Sequence, residues 1–305
     1  MSSITSVEEK KIKKIKWDKK KLTPYLFLAP FFFFFVAFMV YPIFNSLYLS
    51  FTSAQGSMAA DWVGFKNFKS VLLDKLFWQS LRNVFVVLII QVPLMLFLGT
   101  VLANALNRKG LKFKGGFRLM IFLPVLIDLV TYSIVFSIIF NEEYGIINYL
   151  LTLINLEPIA WFTNPFWAKA LIVIAVTWRW AGYNTIIILS SMQSIDDSLY
   201  ESADLDGATK LQQFFQITLP MLKPILLFCA ILSTIGTINL YTEPSLLTNG
   251  GPNNSTNTPV MYIFQYGFQS FNYGYASAAA YITTIIVGAL SFLQMKLTKG
   301  GKIDA

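Results

Sequence analysis

Two ionisable side chains, Asp128 and Arg179, lie deep within long apolar runs, and they are the first candidates for chemistry in this 305-residue chain. A charge at such depth in a bilayer costs about 3 kcal/mol or more, so each must face protein or a water-filled cavity. Opposite sign and similar depth allow three arrangements: a buried Asp128–Arg179 ion pair, an Arg179 that lines a cavity, or unrelated partners for each. Around Arg179 stand Trp178, Trp180, Tyr183 and Asn184, and the next apolar run carries Thr234, Thr237, Asn239, Tyr241 and Glu243. Aromatic faces combined with amide, hydroxyl and carboxyl groups suit a non-covalent site for a polar ligand. The same residue types also pack between membrane helices and hydrogen-bond across them, so both roles stand for each residue. Bond-breaking chemistry has far less to work with. The absence of histidine removes His-based nucleophilic and general-base mechanisms. One cysteine, Cys229, and scattered carboxylates make no metal set, and Asp128 has no second intramembrane aspartate to form a dyad. No catalytic residue, metal or cofactor is expected in this chain.

The elements that position these residues follow from composition. With 55% hydrophobic and only 13% charged residues, the chain is too apolar for a soluble domain of its length. Six apolar runs, near 25–51, 82–106, 117–140, 166–191, 221–242 and 275–297, are each long enough to cross a bilayer. Each must be helical, because in lipid the backbone polar groups have only their own helix as partner. An all-α membrane protein with six transmembrane helices is therefore expected. The first run is too long for a signal peptide and reads as a retained span. Phe31 to Phe35 occupy consecutive helical positions, point all round, and read as membrane packing. The net charge of +8 is a topology signal and does not call for nucleic acid. Lysines crowd positions 10–21, basic residues fill 108–118, and Lys296, Lys299 and Lys302 end the chain, whereas 141–164 and 243–274 contain no Lys or Arg. This alternation places both termini and the 192–220 loop in the cytoplasm. The division expected is a basic tail over 1–22, a membrane domain over 23–299 and a C-terminal tail over 300–305. Within the domain, 61–80 has the spacing of an amphipathic helix on the outer surface.

The loop over 195–220 carries its own folding signals. Ser198-Leu199-Tyr200-Glu201 matches a capping box, with Asp196 and Asp197 at the positive end of the helix dipole. Gly207 can end that helix in a left-handed conformation, and Thr209-Lys210-Leu211-Gln212 offers a second capping box. The result is a helix–turn–helix bent at Gly207. Leu199, Tyr200, Ala203 and Leu205 could fill a groove on a partner, with Glu201 and Asp206 at its rim. Alternatively Glu201 serves only to cap its helix.

The run Glu201-Ser202-Ala203-Asp204-Leu205-Asp206-Gly207-Ala208, followed by Ile217-Thr218-Leu219-Pro220, resembles the coupling loop of binding-protein-dependent ABC import permeases, with Ser202 in place of the first alanine of the family pattern. Gly64-Phe65-Lys66-Asn67-Phe68, Leu123-Pro124, Tyr144-Gly145-Ile146-Ile147-Asn148 and Leu247-Thr248-Asn249-Gly250-Gly251-Pro252 resemble the carbohydrate branch of that family, so the similarity covers nearly all of the chain after residue 24. The resemblance implies a bacterial cell-membrane permease subunit whose coupling residues are Leu199, Glu201, Ala203, Asp206, Gly207, Ala208, Ile217, Leu219 and Pro220. It also implies a sugar site drawn from Trp178, Arg179, Tyr183, Asn184, Thr237, Asn239, Tyr241 and Glu243, with Trp178, Tyr183, Thr237 and Asn239 at matching positions. An Arg179 that faces the cavity unpaired would favour an acidic sugar. Asp128 departs from the family, which often has a small residue or proline there. The partners implied are a second, different permease chain, two cytoplasmic ATPase subunits that bind ATP and Mg, an extracytoplasmic solute-binding protein, sugar and lipid. A stand-alone channel or ion-coupled carrier is the alternative. It leaves the 195–220 loop without a task, and no phosphate-binding G-x-x-x-x-G-K-[ST] motif is present to supply energy internally.

Overall fold

A computed structural model describes residues 19–298 except 59 and 109. Most of the basic tail and all of the 300–305 tail therefore lie outside the described residues. Two compact units are present, Met1–Tyr48 and Leu49–Ala305. The apolar helix α1, Pro24–Ser50, supplies nearly all of the described part of the first unit. It contains a π-turn at Val36–Val40 just before Pro42. Proline cannot donate to the carbonyl four residues back and its ring pushes that carbonyl aside, which a π-turn accommodates.

The second unit is a helical bundle. Its elements are α2 (Lys66–Leu73), α3 (Lys75–Asn107), α4 (Lys114–Leu126), α5 (Leu129–Ile139), α6 (Ile146–Leu153) and α7 (Pro165–Met192). They are followed by α8 (Asp197–Leu205), α9 (Lys210–Met221), α10 (Lys223–Ile238), α11 (Pro259–Phe264) and α12 (Tyr273–Leu297). Among the described residues, α1, α3, α7 and α12 are each long and apolar enough to cross a membrane, and two bent pairs also pass when each is taken together. These are α4–α5, bent by 96°, and α9–α10, bent by 63°. The run near 117–140, expected as one transmembrane helix, is thus broken at Ile127–Asp128. The central pair is α3 and α7, with α4 packed on α7 and α10 on α3. Ala103, Leu106, Ile188, Leu189, Leu222 and Cys229 form the core where these helices converge near Met192.

The helix expected over 61–80 is shorter than its apolar spacing suggests. It stops at Leu73 because Asp74 takes an extended conformation and caps α3 instead, accepting from the Leu76 N–H at 2.8 Å. The other oxygen of Asp74 accepts from the hydroxyls of Tyr262 and Tyr275, so one carboxylate ties α3, α11 and α12 together. Burial works against the charged form, but hydrogen bonds from Tyr262, the Leu76 N–H and Tyr275 outweigh it and hold Asp74 below the usual carboxylate range. Its folded pKa lies below its unfolded value, so its contribution to stability is complete above about pH 3.9 and is lost as pH falls through the folded value. Thermal unfolding measured from pH 5 down to 3 should show an acid loss that Asp74→Asn flattens. Equal slopes for the native chain and the variant would remove this role.

Candidate functional site

The break between α4 and α5 shows why two charges stand within the apolar runs. Ending α4 leaves carbonyls without helical partners, and starting α5 leaves amides without them. Arg179, buried on α7, donates to the Ile127 carbonyl at 2.7 Å and to the Val125 carbonyl at 3.3 Å. Asp128 is the N-cap of α5 and accepts from Val130 N–H at 2.9 Å and Thr131 N–H at 3.2 Å. A cation at a helix C-terminus and an anion at an N-terminus are also the signs that the two helix dipoles favour. Of the three arrangements, the one present is separate partners for Asp128 and Arg179, because each serves a different broken end. The Arg179 guanidinium also lies 4.9 Å from the centre of the Tyr132 ring.

Gly182, one turn beyond Arg179 on α7, allows α4 to come this close. A Cβ there would lie 1.8 Å from the Ile121 carbonyl oxygen, so only glycine fits without moving backbone. Beside this crossing lies a cavity of about 410 Å³, within the ~300–1,000 Å³ usual for small-molecule sites. Of the eight residues expected to meet a ligand, Tyr183, Asn184, Thr237, Asn239, Tyr241 and Glu243 line it. Trp178 and Arg179 are not among its lining residues. Trp178 packs against Phe136 and Tyr132, with ring centres 5.3 and 6.2 Å away. Sequence reading missed Met95, Leu129, Ser233 and Gly236 in the wall. Their signal is faint, since only a fold brings α3 and the start of α5 beside α10.

Some polar atoms in this wall are already engaged. Thr237 donates to Gln91 at 2.8 Å and links α10 to α3; Thr234, which is not among the lining residues, accepts from Gln294 of α12 at 2.7 Å. These threonines hold helices together. Asn184 donates to the Trp180 carbonyl and Asn239 to the Ile235 carbonyl, and both residues line the cavity. Glu243 is buried and is the one Asp, Glu, Lys or Arg among the described lining residues. The cavity wall thus offers aromatic faces, amides, hydroxyls and one carboxylate.

The second candidate site is the helix pair at 196–221. Its first cap is Asp196, which accepts from the Ser198 N–H at 2.9 Å; the Ser198–Glu201 box expected from sequence is not formed. A carboxylate two residues upstream reaches the free amides first and leaves Ser198 inside the helix. The Thr209–Gln212 capping box is present, and Gly207 adopts φ +76° at the bend. Asp204 binds Lys210 at 2.8 Å and Gln213 at 2.6 Å, and these two hydrogen bonds hold its carboxyl below the usual range. Tyr200 and Thr218 add a hydroxyl pair at 2.8 Å, so the two arms are braced across the turn. Ala203 and Ala208 are partly buried in the elbow, joined by a 2.9 Å backbone bond, and Asp206 ends α8. Ile217, Leu219 and Pro220 are partly buried on the second arm. Leu199, Glu201, Leu205 and Leu211 are exposed, Leu205 at 90%. A rigid elbow with an exposed apolar tip and a free carboxylate is suited to a helix-in-groove contact.

Known proteins resemble this arrangement. A lactose transport system permease protein, LacF, of Rhizobium radiobacter is 44% identical over 275 residues, covering 88% of this chain and 92% of that protein. A sulfoquinovosyl glycerol transport system permease protein, SmoG, of Agrobacterium fabrum is 34% identical over 304 residues, covering 97% and 98%. A chain of the bacterial alginate ABC transporter, crystallised with an alginate pentasaccharide-bound periplasmic protein, has the same fold. It matches with a TM-score of 0.81 at 22% identity, over 92% of this chain and 95% of that one. Residues 95–298, which include the cavity helices and the braced elbow, match the family described as the binding-protein-dependent transport system inner membrane component. This chain belongs to that family.

Proposed function

We propose that this chain forms half of the translocation path of an ATP-driven sugar importer that carries oligosaccharides across the bacterial cell membrane. The observation that carries the reading is the braced elbow at 196–221, where Asp196 does the capping and Glu201 is exposed with no partner among the described residues. With both termini and this elbow on the cytoplasmic side of six spans, the elbow docks in a groove on an ATPase subunit. ATP and Mg bind in two such subunits and not in this chain. Their closure moves the elbow as a rigid body, and the attached helices open the cavity to the other side. A second, different permease chain completes the pore, and a solute-binding protein delivers the sugar. Relatives that carry lactose and sulfoquinovosyl glycerol support the sugar class. The aromatic and amide wall of the cavity supports it independently.

The test uses the complex co-purified on a tagged permease. An ATPase and a second permease should accompany it. Glu201→Ala should lower ATP-dependent uptake at least about tenfold, as for loss of a charge-assisted contact. It should leave the thermal stability of the permease unchanged, because Glu201 is exposed and has no partner among the described residues. Uptake by the single chain without ATP would overturn the reading.

A further inference from the structure

Next to the intramembrane cavity is a second chamber of about 330 Å³, between the 249–257 turn and the segment 261–269. Five side-chain amides line it, Asn249, Asn254, Asn257, Gln265 and Gln269, and its described wall contains no Asp, Glu, Lys or Arg. Each amide is donor and acceptor at once, as is each hydroxyl of a sugar. Tyr241 belongs to the walls of both chambers, and its ring centre lies 5.1 Å from that of Phe264, which lines the second. The turn that presents the amides is fixed in advance. Asn83 donates to the carbonyls of Asn254 and Asn257 at 2.7 and 3.0 Å, Gln79 donates to that of Asn253 at 2.8 Å, and the Thr256 N–H closes onto Gly250 at 2.8 Å. Such preorganisation lowers the ordering cost of binding. Asn257 is only 8% exposed, and its Oδ1 has no hydrogen-bond partner.

We propose that this amide-lined chamber is a second sugar subsite, which holds an uncharged sugar unit while a neighbouring unit of the same oligosaccharide occupies the intramembrane cavity, the two meeting at Tyr241. This subsite rests on the sugar reading above and adds a length requirement to it. The experiment measures binding to the purified, nucleotide-free complex by saturation-transfer NMR. Its probes are neutral gluco-, galacto- and arabino-oligosaccharide ladders of one to five units. Gln265→Ala/Gln269→Ala, and separately Asn257→Ala, should weaken binding of the longer members at least about tenfold, as for a lost set of hydrogen bonds. Binding of the one-unit members should be unchanged. The surface glutamine pair guards against loss of folding in the Asn257 variant. Equal weakening at every length, no weakening at any length, or an effect confined to stimulation by the binding protein would overturn the subsite and leave the sugar reading standing. No binding of any ladder by the native complex would overturn both.

Discussion

Gly182→Val is expected to abolish the assembled permease, and Gly182→Ala to destabilise it at the upper end of the ~1–3 kcal/mol usual for overpacking, or beyond. A Cβ at this position would sit 1.8 Å from the Ile121 carbonyl oxygen and 2.7 Å from its carbon, both backbone atoms. A side chain could swing aside, but here α4 itself must move. That movement would carry the Val125 and Ile127 carbonyls away from Arg179, so strain at one residue spreads to the broken helix. Gly288→Ala in α12 is the matched control, because a Cβ there meets nothing within 4 Å. It should be neutral or slightly stabilising, since alanine is the better helix former by about 1 kcal/mol. Detergent-extracted folded protein, followed by size-exclusion after graded heating, separates these outcomes. A Gly182→Ala variant as stable as the native chain would show that α4 and α7 do not cross this closely.

Arg179→Met carries the second large effect. It leaves two carbonyls at the end of α4 without their charged donor, and each unsatisfied carbonyl costs about 1–3 kcal/mol, for a total of about 2–6 kcal/mol. Arg179→Lys keeps the charge but not the two-pronged guanidinium and should fall between. Asp128→Asn keeps an acceptor at the N-cap and should cost no more than about 1 kcal/mol. Because Arg179 is buried against the break, its loss should reduce uptake of neutral and acidic sugars alike. A loss confined to acidic sugars would put the guanidinium in the cavity and refute the clamp.

What could be read from sequence follows the range of the forces involved. The long apolar runs of α3, α7 and α12, the bend at Gly207 and the Thr209 capping box are all local signals, and each has its counterpart in the structure. The third run misleads because hydropathy averages over a window and passes across Ile127–Asp128 without a pause. An N-cap residue type inside an apolar run was the available clue, and it reads as a helix start only once a bend is considered. Arg179 could not be assigned because its carbonyl partners lie 52 and 54 residues away in the chain. Trp178 and Tyr183 look equivalent in sequence, yet only a folded neighbour decides that one packs on Phe136 and the other faces the cavity.

The 96° bend also bears on how the protein is made. The two half-helices have 13 and 11 residues, about 20 and 17 Å at ~1.5 Å per residue, and neither alone reaches across a ~30 Å hydrocarbon core. During synthesis this region leaves the ribosome before Arg179 exists to satisfy its open carbonyls. The bent form therefore gains its donor to the Val125 and Ile127 carbonyls only once the helix at Pro165–Met192 has followed. The bend is completed by a helix made later than the two it joins, through a single arginine.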